Sequence, residues 1–472
     1  MPDSPSRETT ATSVVLAVVA TGLVWLLAGG LAHSLTPTPG EKVVALIESE
    51  TSVAEHAAVG PRESSATVSP QRVRTCEFTS PLVEQSRATL RGEVRAGEEG
   101  LWAAGENEFV APASVQKLFT AAAAWRVLGP DHRLATSVWA NSSGEAWLVG
   151  GGDPTITRSP GNNYYRAQHS LTELAQKTAS GMAEKGLPPI QVLHVDGSRY
   201  DAFEQWDESW RRGAWSLGYV APVAAIQVDG DRDIPALRLG KRSTNPEQRS
   251  QAWFVDALNA VQVDSLVAAG NQSLPVDATE VARVESAPVS ELVGIMLLDS
   301  DNTLAEVLVR EVVLAQGMTD YTAAVLSGIG WEQDQWPDVY FQDGSGLSPL
   351  NRQSAIAITT LLDEIATDPE LSSLIESLPI SGETGSLQRR FNSAGSLATG
   401  AVSAKTGSIE GVRSLAGYVT ASDGKTLSFS LNLSGPGVGD AQRDELDGLV
   451  EGLYLCGENL AHWGIQPGST SE

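Results

Sequence analysis

Three short motifs stand in one order along the chain, and a fold has to bring them together: Ser114-Val115-Gln116-Lys117, then Ser300-Asp301-Asn302, then Lys405-Thr406-Gly407. Together they offer a nucleophile, a base, a proton relay and an anion reader, the set that acyl transfer without a catalytic histidine needs. Each motif alone is weak, so context decides. Ser114 precedes Leu118, Phe119, Ala121 to Ala124, Trp125 and Leu128, which predicts a buried helix starting at Pro112 or Ala113. Positions three apart share a helix face, so Ser114 and Lys117 can touch. The rival Ser422-Asp423-Gly424-Lys425 lies on an Asp-Gly turn between the strand-like runs 414–420 and 426–433, and it reads as a hairpin tip. Ser243-Thr244-Asn245 reads as loop, and Ser430-Leu431-Asn432 falls inside a strand.

The 472 residues allow two or three domains, and 42% apolar content supplies their cores. A net charge of -26 argues against nucleic acid as a partner, because its phosphates would be repelled; solubility is the alternative role of that acidity. Ser13 through Leu35 is almost uninterruptedly apolar, long enough for a membrane helix. The expectation is an uncleaved anchor; an export signal cleaved near Ala28-Gly29-Gly30 is the alternative. Residues 36–75 then read as a Pro/Ser/Thr/Glu-rich linker. The only cysteines, Cys76 and Cys456, predict one disulfide joining the ends of the folded part of an exported protein, against the alternative of two buried thiols.

The gap between Ser114 and Ser300 is too wide for neighbouring elements, so a unit is inserted there. Strands are expected at 137–140, 146–149 and 190–195, with one helix at 171–185. Helices at 289–298, 304–315, 353–366, 371–378 and 444–454, with strands at 402–404 and 415–419, complete an α+β catalytic domain split by a β-rich one. The expected organisation is an anchor or signal (1–35), a linker (36–75), the first catalytic part (76–135), the insertion (136–283), the second catalytic part (284–466) and a tail (467–472).

These residues resemble the penicillin-binding D-alanyl-D-alanine carboxypeptidase/endopeptidase group with a large insertion after the S-x-x-K helix. Beyond the trio, the resemblance is carried by Leu128-Gly129-Pro130-Asp131, Gly151-Gly152-Asp153-Pro154-Thr155 and Ala221-Pro222 with Ala224-Ala225. It continues through Asp343-Gly344-Ser345-Gly346-Leu347-Ser348, Gly385-Ser386-Leu387 and Leu415-Ala416-Gly417-Tyr418. It implies a serine β-lactamase/penicillin-binding-protein-like transpeptidase fold, a peptidoglycan stem peptide as substrate and β-lactams as covalent inhibitors. By that resemblance Ser114 would be the nucleophile, Lys117 the base and Ser300 the proton relay, with Asn302 holding Lys117 and the substrate amide. Lys405, Thr406 and Ser408 would read the terminal carboxylate, Gly407 would let the strand approach closely, and the backbone N–H groups of Ser114 and Ser408 would hold the oxyanion. Burial and a nearby Lys405 cation are expected to lower the Lys117 pKa.

The sequence departs from the family pattern at the substrate side chain. Pro349 stands where the family commonly has an arginine, and the stretch from Arg211 to Val220 lacks the usual acid. Recognition of a free zwitterionic side chain is therefore expected to be weakened or replaced, with Arg352 or Arg212 taking part. A turn is the expected role of Asp343 to Ser345. Six scattered histidines and a Gly150-Gly151-Gly152 run with no Lys-Ser/Thr after it imply no metal, no phosphate loop and no cofactor. A β-lactamase-like hydrolase or a catalytically silent wall-binding protein are the rival readings.

Overall fold

The computed structural model describes Cys76 and residues 88–460, apart from 264–266 and 393–395. The apolar run 13–35 and the linker 36–75 lie outside the described residues; among those described, no helix is long and apolar enough to cross a membrane. In chain order the strands are β1 (Thr89–Ala96), β2 (Glu99–Ala104), β3 (Arg133–Ala140), β4 (Glu145–Gly151), β5 (Val192–Asp196), β6 (Val267–Asn271), β7 (Thr279–Pro288), β8 (Val402–Ile409), β9 (Val412–Thr420) and β10 (Thr426–Ser434). The α-helices are α1 (Lys117–Leu128), α2 (Leu171–Glu184), α3 (Pro246–Ala260), α4 (Val289–Asp299), α5 (Asn302–Ala315), α6 (Tyr321–Gly328), α7 (Ala355–Thr367) and α8 (Asp440–Cys456).

One sheet is antiparallel throughout, in the order β2-β1-β10-β9-β8. Its β10 alternates strictly: Leu427, Phe429, Leu431 and Leu433 join the core that α8 covers through Leu446, Leu449, Val450 and Leu453. The intervening Ser428, Ser430 and Asn432 are buried as well, because helices cover the opposite face too. Ser428 there donates to Asp363 of α7 at 2.8 Å, and the Asn432 amide N–H donates to the Ala111 carbonyl at 3.1 Å, so these two buried donors are paired. The hairpin between β9 and β10 turns at Gly424, φ 85°, and Ser422 sits exposed on it as expected. Helix α1 is apolar nearly all round and is enclosed by α4, α5 and α6, as such a helix must be.

The second sheet, β6-β5-β4-β3-β7, comes from the stretch between α1 and α4. Here β3 pairs antiparallel with β4 and β7, whereas β4, β5 and β6 run parallel. Parallel neighbours need crossover connections. Helix α2 makes the first and α3 the second. The sequence reading found only α2, although Asn245 caps α3 by accepting from the Gln248 N–H and Pro246 opens it, a combination that marks a helix start. Segment 371–378, expected as a helix, forms a 3-10 turn at Ser372–Ser377.

A disulfide joins Cys76 to Cys456 across 380 residues of sequence, with the Cα atoms 5.4 Å apart. Replacing both cysteines with serine should lower unfolding stability by about 2–5 kcal/mol in a denaturant titration. It should leave the rate of penicillin acylation unchanged, because α8 packs on the sheet face away from Lys117. A double variant as stable as the parent would show that the bridge constrains nothing.

Candidate active site

Ser114 lies in a 3-10 turn, Ala113–Gln116, that runs into α1 at Lys117. The preceding Ala113 has φ 51°, a left-handed conformation that costs a residue with a Cβ unless its surroundings impose it. Two glycines do so. A Cβ on Gly346, φ 80°, would stand 2.0 Å from the Ala113 carbonyl oxygen, and one on Gly407 would stand 2.7 Å from that of Pro112. The same Pro112 carbonyl accepts from Ser414 Oγ at 2.6 Å. The Ser114 turn is thus held between β8 and the 343–348 turn by backbone approaches that only glycine permits.

Lys117 is fully buried, while Ser114, Ser300 and Asn302 are half-exposed. Its Nζ has three neighbours: Ser114 Oγ at 3.0 Å, Asn302 Oδ1 at 2.8 Å and the Ser345 carbonyl at 2.5 Å. Two of these are carbonyl oxygens that can only accept. Ser345 therefore serves through its backbone, in the turn expected of it, whose Asp343 carboxylate accepts from the Gly346 and Ser348 N–H groups and from Trp210 Nε1.

The second motif forms the turn between α4 and α5. Ser300 is left-handed (φ 58°, ψ 43°) and ends α4, and Asp301 caps α5 by accepting from the Leu304 N–H at 2.8 Å. Asn302 Nδ2 donates to the Tyr219 carbonyl of the inserted unit at 3.1 Å, so the amide must turn its oxygen toward Lys117. The third motif lies on β8, the edge strand. Lys405, fully buried, donates to Ser300 Oγ and to the Thr406 carbonyl, both at 2.9 Å. Thr406 Oγ1 donates to Ser386 Oγ at 2.8 Å. The Ala404 N–H leaves the sheet toward the Pro379 carbonyl, 3.0 Å away on the outer side. By the two-residue period of a strand, the N–H groups of Thr406 and the exposed Ser408 point to the same open edge.

Burial pushes the Lys117 amine down to about 8; the carboxylates of Asp343, Glu306 and Asp301 pull it back and Arg238 adds to the lowering. Lys405 is pushed well below the ordinary lysine value by burial, then by Lys117 and Arg238. Arg238 is thus a second cation acting on both amines. Sequence reading missed it, because it lies in the inserted unit with no motif around it.

Other supports were also invisible in the sequence. Glu306, buried on α5, accepts from the Gly344 and Ser345 N–H groups at 3.1 and 2.9 Å. It thereby sets the carbonyl that Lys117 meets. Desolvation raises its pKa to about 7, against the pull of Arg310. Arg352 donates to the Pro349 and Asn351 carbonyls, and Arg212 is exposed. Asp207, three residues before Trp210, already accepts from Ser209 and Gln342.

The family model for D-Ala-D-Ala carboxypeptidase 3 (S13) matches residues 81–241 and 232–453. Carboxypeptidase DacB of Mycolicibacterium smegmatis is 31% identical over 417 residues, covering 84% of this chain and 87% of that protein. A D-alanyl-D-alanine carboxypeptidase of Actinomadura sp. is 30% identical over 416 residues, covering 72% and 76%. Among solved structures, penicillin binding protein 4 (dacB) from Haemophilus influenzae shares the fold, with TM-score 0.63 at 21% identity over 78% of this chain and 96% of that one. Motifs, fold and relatives agree: the chain belongs to the D-Ala-D-Ala carboxypeptidase 3 (S13) family, and it is a serine-type hydrolase of D-alanyl-D-alanine ends.

Proposed function

We propose that Ser114 is the nucleophile and Lys117 its base, acting on the bond between the two terminal D-alanines of a peptidoglycan stem peptide. The observation that carries this reading is the set of partners around Lys117 Nζ. A neutral amine has two N–H donors and one lone pair. The two carbonyl acceptors take the donors, which leaves the lone pair facing Ser114, the one neighbour with a proton to give.

Ser114 Oγ attacks the carbonyl carbon as its proton passes to Lys117, and the oxyanion forms between the N–H groups of Ser114 and Ser408. Ser300, held by Lys405, relays the proton to the departing D-alanine amine. The C–N bond breaks, leaving an ester on Ser114 that water hydrolyses. Lys405, Thr406 and Ser408 read the terminal carboxylate, with Gly407 allowing the close approach and Asn302 accepting the substrate amide beside Lys117. A β-lactam enters the same steps but keeps its leaving amine tethered, so its acyl-enzyme persists.

Incubation with a fluorescent penicillin followed by mass analysis of the Ser114 peptide tests this. A persistent adduct on Ser114 is expected; rapid loss of it would favour a β-lactamase, and a parent that never labels would defeat the enzyme reading. The rate of that acylation should rise with pH to a midpoint near 8, the value at which Lys117 loses its proton. At pH 6 about one molecule in a hundred carries the neutral base, so acylation should be roughly 100-fold slower than the plateau. A rate flat from pH 6 to 9 would remove Lys117 from the role.

Substrate side-chain recognition follows from Pro349 and from the acid-free stretch after Trp210. The ratio of kcat/KM for zwitterionic over capped stem peptides should be lower here than in a relative that keeps both residues, and equal ratios would refute it. The site acts outside the cytoplasm, where stem peptides are found, and the apolar run 13–35 anchors the chain to the membrane. A mature N-terminus near Leu31 in the soluble fraction would reject the anchor.

A further inference from the structure

The inserted unit reaches the Ser300 to Asn302 turn through a buried ion pair, beside which Tyr165 Oη also donates to Asp301 Oδ1 at 3.5 Å. Arg232 NH2 donates to Asp301 Oδ2 at 2.8 Å, and both side chains are almost wholly removed from solvent, 0% and 4% exposed. Asp301 is not among the hydrogen-bond partners of Lys117 Nζ. It caps α5 with its other oxygen, a task that a solvent-exposed aspartate performs as well. Its neighbours on either side are Ser300 and Asn302. Whatever holds Asp301 fixes where those two side chains stand.

The arginine is held with more than one device. Its guanidinium lies over the rings of Tyr164 and Tyr165, 4.1 and 4.5 Å from their centroids. Its NH1 donates to the Asp229 carbonyl at 2.9 Å and its Nε to the Arg238 carbonyl at 3.3 Å. The fork is therefore fixed at every nitrogen, something a lysine ammonium cannot reproduce. The chain just before it is strained: Asp229, Gly230 and Asp231 are left-handed in succession, with φ 55°, 56° and 61°. Two of the three carry a Cβ, and such conformations persist only where the surroundings impose them. Here Asp229 accepts from Thr157 Oγ1 at 2.6 Å and Asp231 accepts from the Ser243 N–H at 2.6 Å. The inserted unit also supplies the Tyr219 carbonyl that orients the Asn302 amide.

We propose that Arg232 is a positioning residue of the acyl-transfer reaction: through Asp301 it fixes the Ser300 to Asn302 turn, so that the inserted unit governs how fast Ser114 is acylated. The strained segment serves to deliver its guanidinium to that one carboxylate. This rests on the acyl-enzyme reading above. It concerns the rate of the chemical step and leaves the grip on the substrate carboxylate to β8.

Arg232→Gln and Arg232→Lys, with the parent, test it by fluorescent penicillin acylation followed in time and to completion. The end point counts folded, competent sites and the time course gives the rate. Arg232→Gln should reach the parent's end point about 100-fold more slowly, the loss expected when a catalytic group is displaced by about 1 Å. Arg232→Lys, which keeps the buried charge but loses the fork, should fall between, roughly 10-fold slow on the same argument. On a stem peptide kcat should drop in the same order, with KM little changed. A purely structural arginine would lower the melting temperature and the end point while leaving the rate per competent site alone. Rates within threefold of the parent in either folded variant overturn the proposal. If Arg232→Gln does not fold, Arg232→Lys decides by the same criterion. A parent that never labels defeats the acyl-enzyme reading itself, whereas a parent that labels beside variants that label equally fast defeats only the role of Arg232.

Discussion

Ser114→Ala should carry no covalent penicillin label and should lose about 10⁴- to 10⁶-fold in turnover of D-alanyl-D-alanine substrate, the range seen when an acyl-transfer nucleophile is removed. The fold should be untouched. The Ser114 side chain is half-exposed, and Lys117 keeps Asn302 and the Ser345 carbonyl when the hydroxyl goes. Reversible penicillin binding should survive, because Thr406 and Ser408 on β8 remain. The natural control is Ser422→Ala. That serine opens the other S-x-x-K match and sits exposed on the β9–β10 hairpin tip, so its loss should change neither label nor rate. Label retained in Ser114→Ala would overturn the assignment of the nucleophile.

Lys117→Met should slow acylation by about 10²- to 10⁴-fold, the usual worth of a general base. Methionine fills a similar volume without the amine. It leaves two buried acceptors, Asn302 Oδ1 and the Ser345 carbonyl, short of a donor, which costs about 1–3 kcal/mol each. Against that, the parent carries a buried amine that burial disfavours in its charged form. The melting temperature should therefore move far less than the rate. The diagnostic readout is the pH profile: the rise with midpoint near 8 should vanish along with the rate. A variant that is only a few-fold slower and keeps the same midpoint would transfer the titration to another group, and Lys405 would be the first to examine.

The trio of motifs was legible in the sequence because each part of it is local. S-x-x-K is two positions of one helical turn, Ser-Asp-Asn is one turn between helices, and Lys-Thr-Gly is one stretch of strand. The same holds for β10, whose strict alternation announces its two faces, and for α1, whose apolar circumference announces burial. What escaped depends on partners distant in sequence. Nothing near Arg232 shows that it meets Asp301, and nothing near Glu306 shows that it carries the backbone of Gly344 and Ser345. Parallel pairing of β4, β5 and β6 is equally silent, since an apolar run does not name its neighbour. Helix α3 escaped for a different reason. Its Asn-Pro start was present, but the helix carries a mixed polar face that blurs its period. The expected cation beside Lys117 was Lys405, and Arg238 proved to act on both amines. Charges from an inserted unit cannot be placed until the unit is.

The pairing of β1 with β10 has a consequence for how the molecule comes into being. Thr89 lies opposite Ser434 and Arg95 opposite Ser428, so the first strand must wait for almost the whole chain before it finds its neighbour. A ribosome delivers residues in order, at about 5–20 each second. For tens of seconds the opening hairpin therefore has no sheet to join, and its unpaired edge is a hazard for association with other chains. The second sheet needs only residues up to Pro288 and can close earlier. Birth order thus lets the second sheet close first, while the first sheet, with the Lys405-Thr406-Gly407 strand at its edge, is completed last.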